Sequence, residues 1–111
     1  MAWQAQHNYA RISARKVRLI ADLIRDRDVQ DAMNILKFTP NRAAVMVNKV
    51  LRSAVASADA AEADVENLFI KAAFVDEGPT MHRFHAKDRG RAHPIKKRTS
   101  HITVVVEQSA K

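Results

Sequence analysis

The sequence predicts an α+β fold: three helices packed on a small antiparallel sheet, with a long β-hairpin protruding from it. Three observations lead there. Helical periodicity fills much of the first half of the chain and gives way near residue 60. Two segments with the branched, alternating character of strands follow, Leu68 to Val75 and Ser100 to Glu107. The stretch between them, Asp76 to Thr99, has Met81, Phe84 and Ile95 as its only large apolar side chains. A structureless loop of that length is rare in so small a domain. Both strands are therefore expected to continue outward as two arms with a turn near Asp88-Arg89-Gly90. Arms of roughly ten residues would reach on the order of 30 Å.

The first helical pattern begins at Ser13, with Val17, Ile20, Ala21 and Ile24 on one face. Leu19 and Leu23 fall on the other side, which predicts a helix packed on two sides. Asp28 reads as the N-cap of a second helix, about Val29 to Lys37, carrying Ala32, Met33, Leu36 and Phe38 inward. Thr39-Pro40 reads as a cap followed by proline at the first helical position, opening a third helix to about Ser57. Its apolar stripe is Ala43, Val47, Val50, Leu51, Ala54 and Val55, with Arg42, Lys49 and Arg52 opposite. Ala60 to Asn67 is a polar, acidic linker. In the last strand Ile102, Val104 and Val106 alternate with Thr103, Val105 and Glu107. The chain of 111 residues is read as one domain: a body of 1–78 and 100–111, and a hairpin of about 79–99.

Composition bounds the function. A hydrophobic share of 47% supports a folded body, and the absence of cysteine removes disulfides and thiolate metal sites. No apolar run approaches the about 20 residues of a membrane span, and the first residues lack a signal-peptide pattern. A reducing, intracellular setting is expected.

A net charge of +7 favours a polyanionic partner, and its distribution is uneven. Arg11 to Arg18 holds four bases and no acid; Thr80 to His101 holds seven bases, one acid and four histidines. Residues 19–79 carry seven bases and ten acids. Arg83, Lys87, Arg89, Arg91, Lys96, Lys97 and Arg98 are dense enough to meet phosphates along both arms. Gly90 would admit RNA close to the backbone, and His82, Phe84, His85 and His93 offer planes for unpaired bases. In the first helix Arg11, Arg15 and Arg18 share a face, and Lys16 stands where a capping box would place Glu. Cations in a first turn oppose the helix dipole, so a phosphate surface explains them better than folding does.

Enzyme readings find less support. His82-x-x-His85 has only Asp88 nearby as a further ligand, and Asp76-Glu77 are strand neighbours that point to opposite faces. Followed by Gly78-Pro79, that acid pair marks where the first arm bends away from the sheet. There is no phosphate-cradling glycine loop. No catalytic residue, cofactor or metal is expected. An RNA-processing enzyme using the hairpin histidines, and a DNA-binding factor placing a helix in a groove, stand as the alternatives.

Four motifs, in order, carry a resemblance: Ser13-Ala-Arg-Lys-Val-Arg-Leu-Ile-Ala-Asp-Leu-Ile-Arg25, Phe74-Val-Asp-Glu-Gly-Pro79, Gly90-Arg-Ala92 and Lys97-Arg-Thr-Ser-His-Ile-Thr-Val104. Over nearly the whole chain the sequence resembles the large-subunit ribosomal protein L-twenty-two family. The resemblance implies a three-helix, three-stranded body beside the mouth of the polypeptide exit tunnel, in the cytoplasmic ribosome. Residues just before Ser13 would supply the third strand. It implies a hairpin that binds several domains of the large ribosomal RNA and lines the tunnel, near where macrolides bind. Neighbouring ribosomal proteins and the nascent polypeptide are the further implied partners. Carried over by motif, Met81, His82 and Arg83 fall on the arm facing the constriction, and Lys87, Arg89 and Arg91 on the tip. The sequence departs at Ala86-Lys87-Asp88, where family members often carry Pro-Arg-Ala, and at Pro94.

Overall fold

Strand β5 (Ser100–Gln108) is the centre of the body sheet, flanked antiparallel by β1 (Ala2–Ala10) on one side and β2 (Leu68–Glu77) on the other. Helices α1 (Ala14–Ile24), α2 (Val29–Phe38) and α3 (Arg42–Ala60) lie between β1 and β2 in sequence, and a short 3₁₀ turn spans Val65–Asn67. Strands β3 (Met81–Lys87) and β4 (Arg91–Lys97) form a separate two-stranded ribbon between β2 and β5. The computed structural model describes residues 2–87 and 91–108, with backbone alone over 81–87 and 91–96.

The helices cover one face of the sheet: α3 lies across β1 and β5, α1 along β2, and α2 against α3. Ile102, Val104 and Val106 of β5 are buried, as their alternation predicts, beside Leu68, Ile70, Ala73 and Val75 of β2. Opposite them stand Val17, Ile20, Ala21 and Ile24 of α1 and Ala43, Ala44, Val47, Val50, Leu51, Ala54 and Ala58 of α3. The abundance of alanine on α3 brings its backbone close to the sheet, where larger side chains would hold it off.

Three local readings are corrected. The third helix starts at Arg42, because the Asn41 side chain, not Thr39, accepts the Ala43 N–H at 2.8 Å. The Thr39 hydroxyl instead donates back to the Ile35 carbonyl at 2.7 Å, closing α2. Helix α1 buries one side only, for Leu19 and Leu23 are 68% and 45% exposed. Phe38, expected inward, is 78% exposed at the last position of α2, where the helix has passed beyond its neighbours. The boundaries of α3 and β2 also extend beyond the predicted ones, to Ala60 and Glu77.

The body ends in tight closures. Helix α3 closes with Glu62 in the left-handed region at φ 62°, its N–H donating to the Asp59 carbonyl and the next N–H, of Ala63, to Ala58. In β1, Asn8 and Tyr9 together stand opposite His101, with Tyr9 at φ 59°. The bulge is held by the Tyr9 N–H donating to His101 Nδ1 at 3.1 Å and by an edge-on ring contact at 4.8 Å.

The hairpin is paired from Met81↔Lys97 to Lys87↔Arg91, which brackets the predicted turn; Asp88, Arg89 and Gly90 themselves lie outside the described residues. Its projection stretches the molecule to 66 Å along one axis, with a radius of gyration of 17.0 Å. A compact domain of this length would have about 13 Å. At the root, Glu77 still pairs with Ser100 in the body register. Pairing resumes at Met81↔Lys97, so Gly78, Pro79 and Thr80 stand opposite only Arg98 and Thr99. The Gly78 N–H donates to the Thr99 carbonyl at 2.9 Å, and the Thr99 hydroxyl to Pro79 at 2.6 Å. Ser100, fully buried, anchors this point to the body through its hydroxyl and the Ile12 carbonyl.

Candidate nucleic-acid interface

The two basic segments, separated by most of the chain, converge at the root of the hairpin. Helix α1 begins beside the place where β2 leaves the sheet and β4 returns to it. A cleft of about 360 Å³ lies between them, with Arg15 from α1 and Arg98 from the returning arm both on its wall. Glu77, Gly78 and Thr80 complete the side formed by the outgoing arm.

The first segment divides by role. Arg11 is exposed in the bend between β1 and α1, and Arg15 and Lys16 are exposed in the first turn of α1. That turn contains no acid, and the Ser13 hydroxyl makes no capping bond. The leading amides of α1 and the two cations thus present positive potential in one direction. Arg18 is exposed and also serves the fold. Its Nε and Nη2 both donate to the Val75 carbonyl, at 3.2 and 3.0 Å. Arg25 does the same for Ala73 at 2.7 Å, and the Asp26 N–H for Ile70 at 3.0 Å. These donors close the outer edge of β2, whose carbonyls would otherwise be open to strand addition. Sequence reasoning missed this clamp, because which carbonyls remain unpaired depends on strand order.

Of the second segment, Lys97 and Arg98 are exposed at the root. Met81, His82, Arg83 and Lys87 occupy β3, and Arg91 and Lys96 occupy β4. The register sorts these positions by alternation. Arg83 and Lys87, with Arg91 and Lys97 across from their set, share one series; His82 and Lys96 belong to the other. His82 and His85 fall in different series of that register. Arg89 and Gly90 are outside the described residues.

Glu77 lines the cleft beside Arg15 and Arg98. Among the described residues the ion pairs are Arg25–Asp22 at 2.8 Å and Lys71–Glu107 at 3.3 Å, and neither involves Arg11, Arg15, Lys16, Lys97 or Arg98. No group of three metal-ligating side chains occurs among the described residues. No helix there is long and apolar enough to cross a membrane. The exposed guanidinium and ammonium groups of this region offer the chemistry of polyanion binding.

The large ribosomal subunit protein uL22 of Ligilactobacillus salivarius (strain UCC118) is 57% identical over 97 residues, covering 86% of this chain and 84% of that protein. The profile of the family described as ribosomal protein L22p/L17e matches residues 5–107, spanning the helical body, the hairpin and all of β5 but its last residue. With the helices, the hairpin and nearly all of the sheet inside that match, the chain belongs to the ribosomal protein L22p/L17e family.

Proposed function

We propose that this protein is a structural constituent of the large ribosomal subunit in the cytoplasmic ribosome. It binds the large ribosomal RNA through α1 and the hairpin, supports assembly, and lines the polypeptide exit tunnel with the hairpin. The observation that carries the reading is the meeting of two basic segments at the hairpin root, in a chain of this family. The body supplies a rigid platform; the hairpin supplies reach. A two-stranded ribbon has no core and is marginal in water, so RNA packed on both sides gives it the contacts that the body cannot. The proposed contacts are Arg11, Arg15, Lys16, Arg18, Met81, His82, Arg83, Lys87, Arg89, Gly90, Arg91, Lys96, Lys97 and Arg98. Met81, His82 and Arg83, on the outgoing arm, are the positions proposed to lie toward the nascent polypeptide. Neighbouring ribosomal proteins would pack against the body, and no chemical step is assigned to any residue.

The test is affinity for a large-subunit RNA fragment over a salt series. Each phosphate contact contributes a log–log slope of roughly −0.7 to −0.9. Replacing Lys96, Lys97 and Arg98 together by alanine should flatten the slope by about two to three units. An unchanged slope would show that the arms do not meet phosphates.

A further inference from the structure

We propose that the cleft at the hairpin root is a pocket for one unpaired guanosine nucleotide of the RNA, a reading that rests on the RNA-binding function above. Its volume of about 360 Å³ falls within the range of about 300–1,000 Å³ usual for small-ligand pockets. A surface built only to follow a phosphate backbone needs no such concavity. RNA-binding proteins instead read sequence from splayed-out bases taken into pockets.

The polar groups on the wall are of two kinds. Arg15 comes from α1 and Arg98 from the returning arm, and both line the cleft, so two guanidinium groups from separate elements are available to one phosphate. Glu77 lines the cleft from the outgoing arm, and among the described residues none of the three takes part in an ion pair. A carboxylate beside a phosphate site repels the phosphate, so its presence calls for a hydrogen-bond donor on the same ligand. Among the four bases, guanine alone offers two adjacent donors, N1–H and N2–H, spaced to meet the two oxygens of one carboxylate. Gly78 leaves the outgoing arm without a side chain at this wall, and the Thr80 hydroxyl adds a donor to phosphate or sugar.

The experiment titrates the free full-length protein with GMP, AMP, CMP, UMP and inorganic phosphate, following backbone amide signals of Ala14, Arg15, Gly78, Thr80 and Thr99. GMP should shift these signals saturably and more tightly than the other nucleotides. Arg98→Ala should weaken GMP about tenfold, the loss of one charge-assisted contact to the phosphate. Glu77→Gln should abolish the preference for GMP over AMP and leave inorganic phosphate bound no more weakly. Equal responses to all four nucleotides and to phosphate would reduce the cleft to a plain anion site and overturn the proposal, as would no response. Binding of the large-subunit RNA fragment is measured with the same preparation. RNA bound without a GMP response refutes the pocket alone, whereas failure to bind RNA refutes the function on which it rests.

Discussion

Replacing Arg18 by alanine separates folding from RNA binding within one basic cluster. The guanidinium gives two N–H groups to the Val75 carbonyl on the open edge of β2. A hydrogen bond from a charged donor is worth about 1.5–3 kcal/mol. Water can reach this carbonyl once the side chain is gone, and solvent screens an exposed cation. The cost of Arg18→Ala should therefore lie near the bottom of that range, about 1–2 kcal/mol. Each kcal/mol corresponds to about 4–8 °C in melting midpoint for a domain near this size. Arg15 and Lys16 are exposed in the first turn of α1, in neither ion pair and opposed to the dipole. Arg15→Ala and Lys16→Ala should leave stability unchanged or raise it by about 0.3–1 kcal/mol. The assays are thermal and urea unfolding of the free protein, paired with RNA affinity across a salt series. Arg15→Ala should lose affinity without stability, and Arg18→Ala should lose stability whatever its effect on affinity. If Arg15→Ala lowered the midpoint as much as Arg18→Ala, the division of the cluster into reader and clamp would be wrong.

Leu51 is fully buried in α3, so Leu51→Ala should cost about 2–5 kcal/mol through lost burial and a cavity, read from urea unfolding. Glu62 holds a left-handed conformation at the end of α3; Glu62→Gly should stabilise by about 0.5–1 kcal/mol, and a lower midpoint would count against strain there. A Cβ at Gly78 would stand 2.5 Å from Thr99 Oγ1 and 3.2 Å from His101 Nε2. Gly78→Ala should therefore cost about 1–3 kcal/mol by displacing the Thr99 hydroxyl from Pro79, and amide exchange at Thr99 and Ser100 should quicken.

The inner faces of the helices were legible because burial imposes the 3.6-residue period on α1 and α3 directly. Strand β1 was not legible from its own residues. Ala-Trp-Gln-Ala-Gln-His-Asn-Tyr-Ala has almost none of the branched side chains that mark a strand, and it becomes one by pairing with β5. The resemblance supplied what propensity could not. The start of α3 was misread because Thr39-Pro40 has the composition of a helix start, while the Thr39 hydroxyl was already used by α2. At the site, charge density identified Arg15, Lys97 and Arg98 as exposed cations, since clustered bases without acids have few ways to be neutralised internally. Glu77 was read as part of a bend. Its place on the same cleft as Arg15 and Arg98 depends on the contact between α1 and the hairpin root, which no local pattern encodes.

The three-against-two offset at the hairpin root constrains how the protein's length can change. Residues added in matched numbers to both arms would lengthen the ribbon and leave the body and the register at its root untouched. Deleting one residue from Gly78-Pro79-Thr80 would instead bring the outgoing arm into step with the body sheet. Every later position of that arm would then exchange series relative to β2, because strand positions alternate with a period of two. Arg83 and Lys87 would be carried from one series to the other by a change several residues away. The reach of the hairpin is thus open to insertion, whereas its phase is set by three residues at its base.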